Sequence, residues 1–235
     1  MIYKAQKGQI SYGEEIGIIM MDAHVPFIQG DIGHAATFSF PVRYQYVPGL
    51  TVNAIYNENI DIFPQVVTAG KQLIQEGNVK AITGNCGYFL KFQEELVREL
   101  NVPVFMSSLL QLSLLEKMID STSQKIGIIT AESYRLSDDL LQAANIDPAS
   151  VHMKGMEQNP HFVEVAIQEN GILDSEKLEQ ETVQTAMELV MEHPDTAIVV
   201  IECSILSPYS KAVQQHIKRP VYDYISLVNF VHAGL

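Results

Sequence analysis

Glu15-Ile-Gly-Ile-Ile-Met20 and Lys125-Ile-Gly-Ile-Ile-Thr130 are near copies of one apolar run. Each is far shorter than the roughly 20 residues of a membrane helix, and each reads as a buried strand of a parallel sheet. Working outward from the two copies, the same landmarks follow in the same order. A cysteine comes next, Cys86 in the first unit and Cys203 in the second. Seventeen positions beyond each cysteine (103 − 86 and 220 − 203) a proline opens another apolar run, Pro103-Val-Phe-Met-Ser107 and Pro220-Val-Tyr-Asp-Tyr224. An internal duplication explains the repeated order and puts both thiols at equivalent strand ends.

Between these landmarks, short β-branched runs alternate with longer segments of helical period, the pattern of a parallel sheet with helices on its faces. Strands are expected at 16–21, 42–47, 79–83, 102–105, 125–130, 151–154, 196–201 and 220–223. Helices are expected at 60–76, 88–100, 107–120, 133–144, 175–192, 208–217 and 224–233. The fold class that results is α/β: two pseudo-symmetric Rossmann-like lobes, each a parallel sheet flanked by helices, with an active site between them. Residues 1–107 form the expected first lobe, with the C-terminal helix within 221–235 packing back on it, and residues 108–220 the second. The segment Asp22–Pro41, with Pro26, Gly30 and Gly33, reads as a functional loop over a strand end or a lid.

Composition narrows the function. The chain has 235 residues, 47% hydrophobic and 18% charged, enough to build a large core. Its 15 Lys+Arg against 28 Asp+Glu leave a net charge of −13, which repels phosphate backbones and anionic lipid, so neither nucleic acid nor membrane is an expected partner. Residues 1–11 carry no signal-peptide core, a cytoplasmic location is expected, and both cysteines are then reduced thiols. Gly30-Asp-Ile-Gly33 lacks the third glycine of a dinucleotide fingerprint, no phosphate loop occurs, and the seven histidines are scattered singly. No lysine sits in a pyridoxal-phosphate context. No metal or other cofactor is expected.

Each cysteine follows a strand and stands just before a helix start, where ligands of open parallel sheets bind. Unpaired amides there can lower a thiol pKa from about 8.5 toward neutrality, so both cysteines are placed to become thiolates. One thiolate and one thiol facing each other can invert a carbon acid, one removing the proton beside a carboxylate and the other delivering one to the opposite face. Nearby amides would stabilise the enediolate. A free cysteine is also a common small core residue, but the matched pair favours the site.

Thr83-Gly-Asn-Cys86-Gly and Glu202-Cys203-Ser, set in the duplicated frame, resemble the aspartate/glutamate/hydantoin racemase superfamily over nearly the whole chain. Gly30-Asp-Ile-Gly33 and Phe40-Pro-Val-Arg-Tyr44 resemble a racemase-like branch of it. The resemblance implies a pseudo-symmetric α/β fold, cofactor-independent proton transfer between lobes, frequent homodimers, and Cys86 and Cys203 as the catalytic pair. Departures affect the substrate more than the reaction class: the amino-acid racemases follow the first cysteine with Asn-Thr and surround the second as Gly-Cys-Thr, whereas Gly87-Tyr88 and Glu202-Cys203-Ser204 stand here. Arylmalonate decarboxylases share the fold with one cysteine, and maleate cis-trans isomerases use one as a nucleophile.

Asn85, Gly87, Ser204, Thr130, Ser133 and Asp22 complete the candidate site as groups that would hold a small carboxylate substrate. Each has an ordinary alternative: Asn85 can close its turn, Ser204 can satisfy local backbone, and Ser133 can cap a helix. His24 reads as a loop residue and Arg43 as a strand flank. The expected activity is a cofactor-independent racemase or epimerase acting on an amino acid or hydantoin-like compound. A maleate-type isomerase or decarboxylase on the same fold is the alternative within enzymes, and a non-catalytic small-ligand binder the alternative outside them.

Overall fold

In the computed structural model, which describes residues 2, 4, 5 and 7–235, the strands are β1 (Ile16–Met20), β2 (Val42–Tyr46), β3 (Ala81–Gly84), β4 (Lys125–Thr130), β5 (Val151–Gly155), β6 (Thr196–Ile201) and β7 (Val221–Tyr222). They form two parallel sheets, ordered β2-β1-β3 and β5-β4-β6-β7. The chain thus has the α/β architecture of two related sheets flanked by helices.

The duplication is visible bond by bond. Ile82 N–H donates to Pro103 O at 2.9 Å, and its counterpart Val199 N–H donates to Pro220 O at 2.9 Å. Both prolines open a strand and offer only a carbonyl there, which is why proline is tolerated at this place. Asn85 N–H donates to Ile19 O at 3.1 Å, and Glu202 N–H donates to Ile129 O at 2.8 Å. The fourth strand is complete only in the second lobe; the expected strand at 102–105 is reduced to one bridge between Ile82 and Val104.

The expected helices after the cysteines take a different form. Two turns of 3-10 helix follow each thiol, Gly87–Phe92 and Ser204–Tyr209, before α-helix resumes at Gln93–Glu99 and Ser210–Ile217. The expected helices at 107–120 and 133–144 likewise open as 3-10 turns, and 60–76 ends in a π-helical turn at Leu73–Gly77. Three short helical pieces lie outside the expected set, Val52–Tyr56, Pro148–Ser150 and the stretch 160–167. No helix among the described residues is long and apolar enough to cross a membrane.

Apolar packing runs through the molecule. One cluster joins Ile19 and Ile82 of the first sheet to Ile126, Ile128, Ile198 and Val200 of the second. The helix Tyr224–His232 returns to the first sheet, where Tyr224, Leu227 and Val228 pack with Ile16, Ile18 and Ala81. Its Tyr224 hydroxyl donates to Met106 O at 2.7 Å.

The irregular segment after β1 is tied down at several points. His24 N–H donates to Glu169 at 2.9 Å, and Tyr44 donates to Ile32 O at 3.1 Å. Gly30 takes φ +105°, and a Cβ there would lie 2.8 Å from Pro208 Cα. Gly30→Ala combines left-handed strain with a backbone clash, and is expected to lower unfolding free energy by about 1–3 kcal/mol, measured by urea denaturation.

Candidate active site

Strands β3 and β6 each lead, across one intervening residue, to a cysteine. Cys86 and Cys203 line one cavity of about 80 Å³ at the carboxyl ends of the two sheets. Both are free thiols and half-buried. The turns that carry them are joined: Ser204 Oγ–H donates to Asn85 O at 2.7 Å, linking the residue after Cys203 to the residue before Cys86. Ser108 Oγ–H donates to Ile201 O at 3.0 Å just beneath.

The cavity walls are mostly apolar. The segment after β1 contributes Met21, Ala23, Val25 and Phe27, and Val52, Tyr88, Ala131, Ala166 and Ile205 close the remainder. Polar groups on the wall are Asn85, Ser204, Glu169 and Glu202. No lysine, arginine or histidine lines it among the described residues.

Glu202 is the residue that the sequence reading quoted without assigning a role. It is 1% exposed, and Thr130 Oγ–H donates to its Oε2 at 2.7 Å. A Cβ on Gly87 would lie 1.8 Å from Glu202 Oε1, so the turn after Cys86 needs glycine to make room for this carboxylate. Burial raises the Glu202 pKa to about 7, against the opposing effects of the Thr130 hydroxyl and the Ala131 N–H. The one signal in the sequence was a charged residue ending the otherwise apolar run Ala197–Ile201.

The expected thiolates are not what this environment favours. Burial first, and the Glu202 carboxylate second, hold Cys86 above the ordinary thiol range, although the Tyr88 and Phe89 amides pull the other way. Cys203 is raised by the same two causes and by Cys86, opposed by the Ile205 amide. The amides lie where the sequence placed them; desolvation and a neighbouring carboxylate outweigh them.

The other candidates divide. Asn85, Gly87 and Ser204 line the cavity with the cysteines. Asn85 accepts Met21 N–H at 2.8 Å on its side-chain oxygen, which leaves its amide nitrogen as the group to meet a ligand. Thr130, Ser133 and Asp22 are occupied elsewhere and do not line the cavity. Thr130 holds Glu202, Ser133 donates its hydroxyl to Glu157, and Asp22 accepts Gly49 N–H at 2.8 Å on the surface. Arg43 pairs with Glu14 and Glu76, away from the site.

Asp31, within the Gly30-Asp-Ile-Gly33 turn, is a second buried carboxylate. It accepts Gly33 N–H on Oδ1, its Oδ2 has no partner among the described residues, and burial raises its pKa to about 7. The histidines are less scattered than their spacing suggested. His152, His193 and Asp195 bring three possible ligand atoms within 4.8 Å at the amino ends of the second sheet, opposite the cysteines. The two rings stack with centroids 3.8 Å apart and 9° between planes, so their lone pairs run parallel and do not converge on a point.

The two-lobed frame has the fold of racemases and a decarboxylase of known structure. An allantoin racemase from Klebsiella pneumoniae superposes with a TM-score of 0.61 at 12% identity, covering 94% of this chain and 89% of that one. No protein-family model matches the chain. In sequence, the chain is 33% identical over 228 residues to a dimethylsulfoniopropionate lyase of Durusdinium sp. clade D, covering 93% of this chain and 74% of that protein. It is 32% identical over 232 residues to dimethylsulfoniopropionate lyase 3 of Emiliania huxleyi, covering 94% of this chain and 59% of that protein. The chain belongs to the dimethylsulfoniopropionate lyase family.

Asp31 and Glu202 bias the pH response of the fold in one direction. Their folded pKa values, about 7, lie above the ordinary carboxylate range, so the native state keeps protons that the unfolded chain releases. Stability therefore falls as pH rises from about 4 to about 7. Thermal unfolding is expected to show Tm decreasing across that window. Asp31→Asn, which removes one buried charge, is expected to flatten the decline and raise Tm above about pH 7 while leaving it little changed near pH 4.

Proposed function

We propose that this protein is a lyase that splits dimethylsulfoniopropionate by elimination, using one of the two cavity thiols as the base. The observation that carries the reading is a cavity holding both thiols and two carboxylates but no cationic side chain. A dicarboxylic amino acid would bring a second anion into that setting with nothing to pair it, whereas a substrate with a positive sulfonium end suits it.

The substrate carboxylate would meet the Asn85 amide nitrogen and the amides that open the two 3-10 helices. A thiolate takes the proton from the carbon beside that carboxylate. The electron pair of the C–H bond forms the new carbon–carbon double bond, and the carbon–sulfur bond breaks with its pair leaving on sulfur. Acrylate and neutral dimethyl sulfide result, and the proton stays on the thiol until solvent removes it. The sulfonium charge also counteracts the burial and the Glu202 charge that keep the thiols protonated.

Racemisation is the second reading, favoured by the presence of two thiols on one cavity. The two half-sites differ, however: the residue before one cysteine is the neutral Asn85 and before the other the acidic Glu202. A racemase has to work in both directions with comparable halves, while an elimination needs one base and, with dimethyl sulfide leaving neutral, no general acid.

The test is release of dimethyl sulfide from dimethylsulfoniopropionate, followed by gas chromatography. Cys86→Ser and Cys203→Ser are expected to act unequally, one lowering kcat by about a hundredfold or more and the other substantially less. Loss of optical rotation from an amino acid or allantoin, abolished equally by either substitution and without any dimethyl sulfide, would establish the racemase instead.

A further inference from the structure

The internal duplication supplies a comparison within one molecule. Asn85 and Glu202 occupy equivalent positions: each is the residue before a cysteine, and their N–H groups reach the equivalent carbonyls of Ile19 and Ile129. Each also meets the equivalent backbone amide of the opposite strand end, Asn85 that of Met21 and Glu202 that of Ala131. Holding that amide is a structural task which Asn85 performs with an uncharged group. Glu202 performs it with a carboxylate that is 1% exposed and has no cationic partner among the described residues. Ionising a buried carboxyl that has no cationic partner is costly, as its raised pKa of about 7 records, and the neutral alternative stands in the other half of the same site.

The charge therefore needs a reason beyond architecture, and the cavity provides one. Glu202 is on its wall, which Phe27, Tyr88 and Met21 also line, with no lysine, arginine or histidine among the described lining residues. Aromatic faces and a carboxylate together form the ordinary receptor for a methylated onium group, which has a diffuse charge and no hydrogen-bond donor. Resting on the reading that substrate binds between the cysteines, we propose that Glu202 is the specificity-determining counter-ion for the onium end of the substrate. The absence of a side chain at Gly87 lets the carboxylate reach its place beside Cys86. Asn85, across the pseudo-twofold, meets the carboxylate end, so that the asymmetry of the two half-sites matches the asymmetry of the ligand.

The experiment compares two probes that differ in charge but not in shape: trimethylammoniopropionate, and the carbon isostere in which a tert-butyl group replaces the trimethylammonium. Isothermal titration of the wild-type protein is expected to show the onium compound binding at least about tenfold tighter. E202Q is expected to erase the preference while leaving the affinity of the neutral isostere within about twofold. E202D, which keeps the charge, is expected to retain a preference. A wild type indifferent to the charge, or an E202Q protein that still prefers the onium compound, would overturn the assignment. If E202Q does not fold, the wild-type comparison and E202D decide it. Dimethyl sulfide release keeps the two proposals separate. Release by a protein that does not discriminate between the probes sinks the Glu202 role alone, and discrimination lost in E202Q without any release sinks the lyase reading alone.

Discussion

A single hydrogen bond, from Ser204 Oγ to Asn85 O at 2.7 Å, joins the two turns on which the chemistry stands. Its donor follows Cys203 and its acceptor precedes Cys86, so the bond holds together two thiols that are 117 positions apart in the chain (203 − 86). The bond is buried, where a hydrogen bond is electrostatically strong and a broken one is expensive. Ser108, reaching Ile201 O just below, adds a second fastening from the segment that leaves the first lobe. The cavity keeps its shape because its two halves are bonded to each other as well as to their own sheets.

Duplication builds the frame, and departures from it build the site. The repeated β-strand, thiol and 3-10 helix bring two cysteines into one small space. Asn85 and Glu202 then give the halves different charges, and Gly87 provides the room one of them needs. A symmetric scaffold suits a reaction that runs equally well from either face. The present arrangement suits a molecule with two unlike ends.

Much of the frame was legible in the chain. Strands 125–130 and 196–201 and helix 175–192 fall on the expected residues, because continuous β-branched runs and an Asp174 cap bonded to Lys177 N–H define their ends locally. The 3-10 turns after the cysteines were not legible, since their form depends on what presses against them from the other lobe, as Glu202 does on Gly87. The same holds for the thiols: amides at a helix start can be read from one segment, but burial and the Glu202 charge exist only after both lobes meet. Thr130, Ser133 and Asp22 have suitable chemistry at suitable strand ends. Nearer partners, Glu202, Glu157 and Gly49, occupy them.

The apolar cluster that unites Ile19 and Ile82 with Ile128 and Val200 resists any motion that parts the lobes. Swinging the lobes apart like jaws would pull that shared interior open to water, at about 25 cal/mol for every Å² of oily surface uncovered. The stretch bearing Met21, Ala23, Val25 and Phe27 lies along the cavity and is fastened to the opposite lobe by the His24–Glu169 bond at 2.9 Å and by the packing of Val25 on the second core. Two sheets that share one dry interior stand as one body.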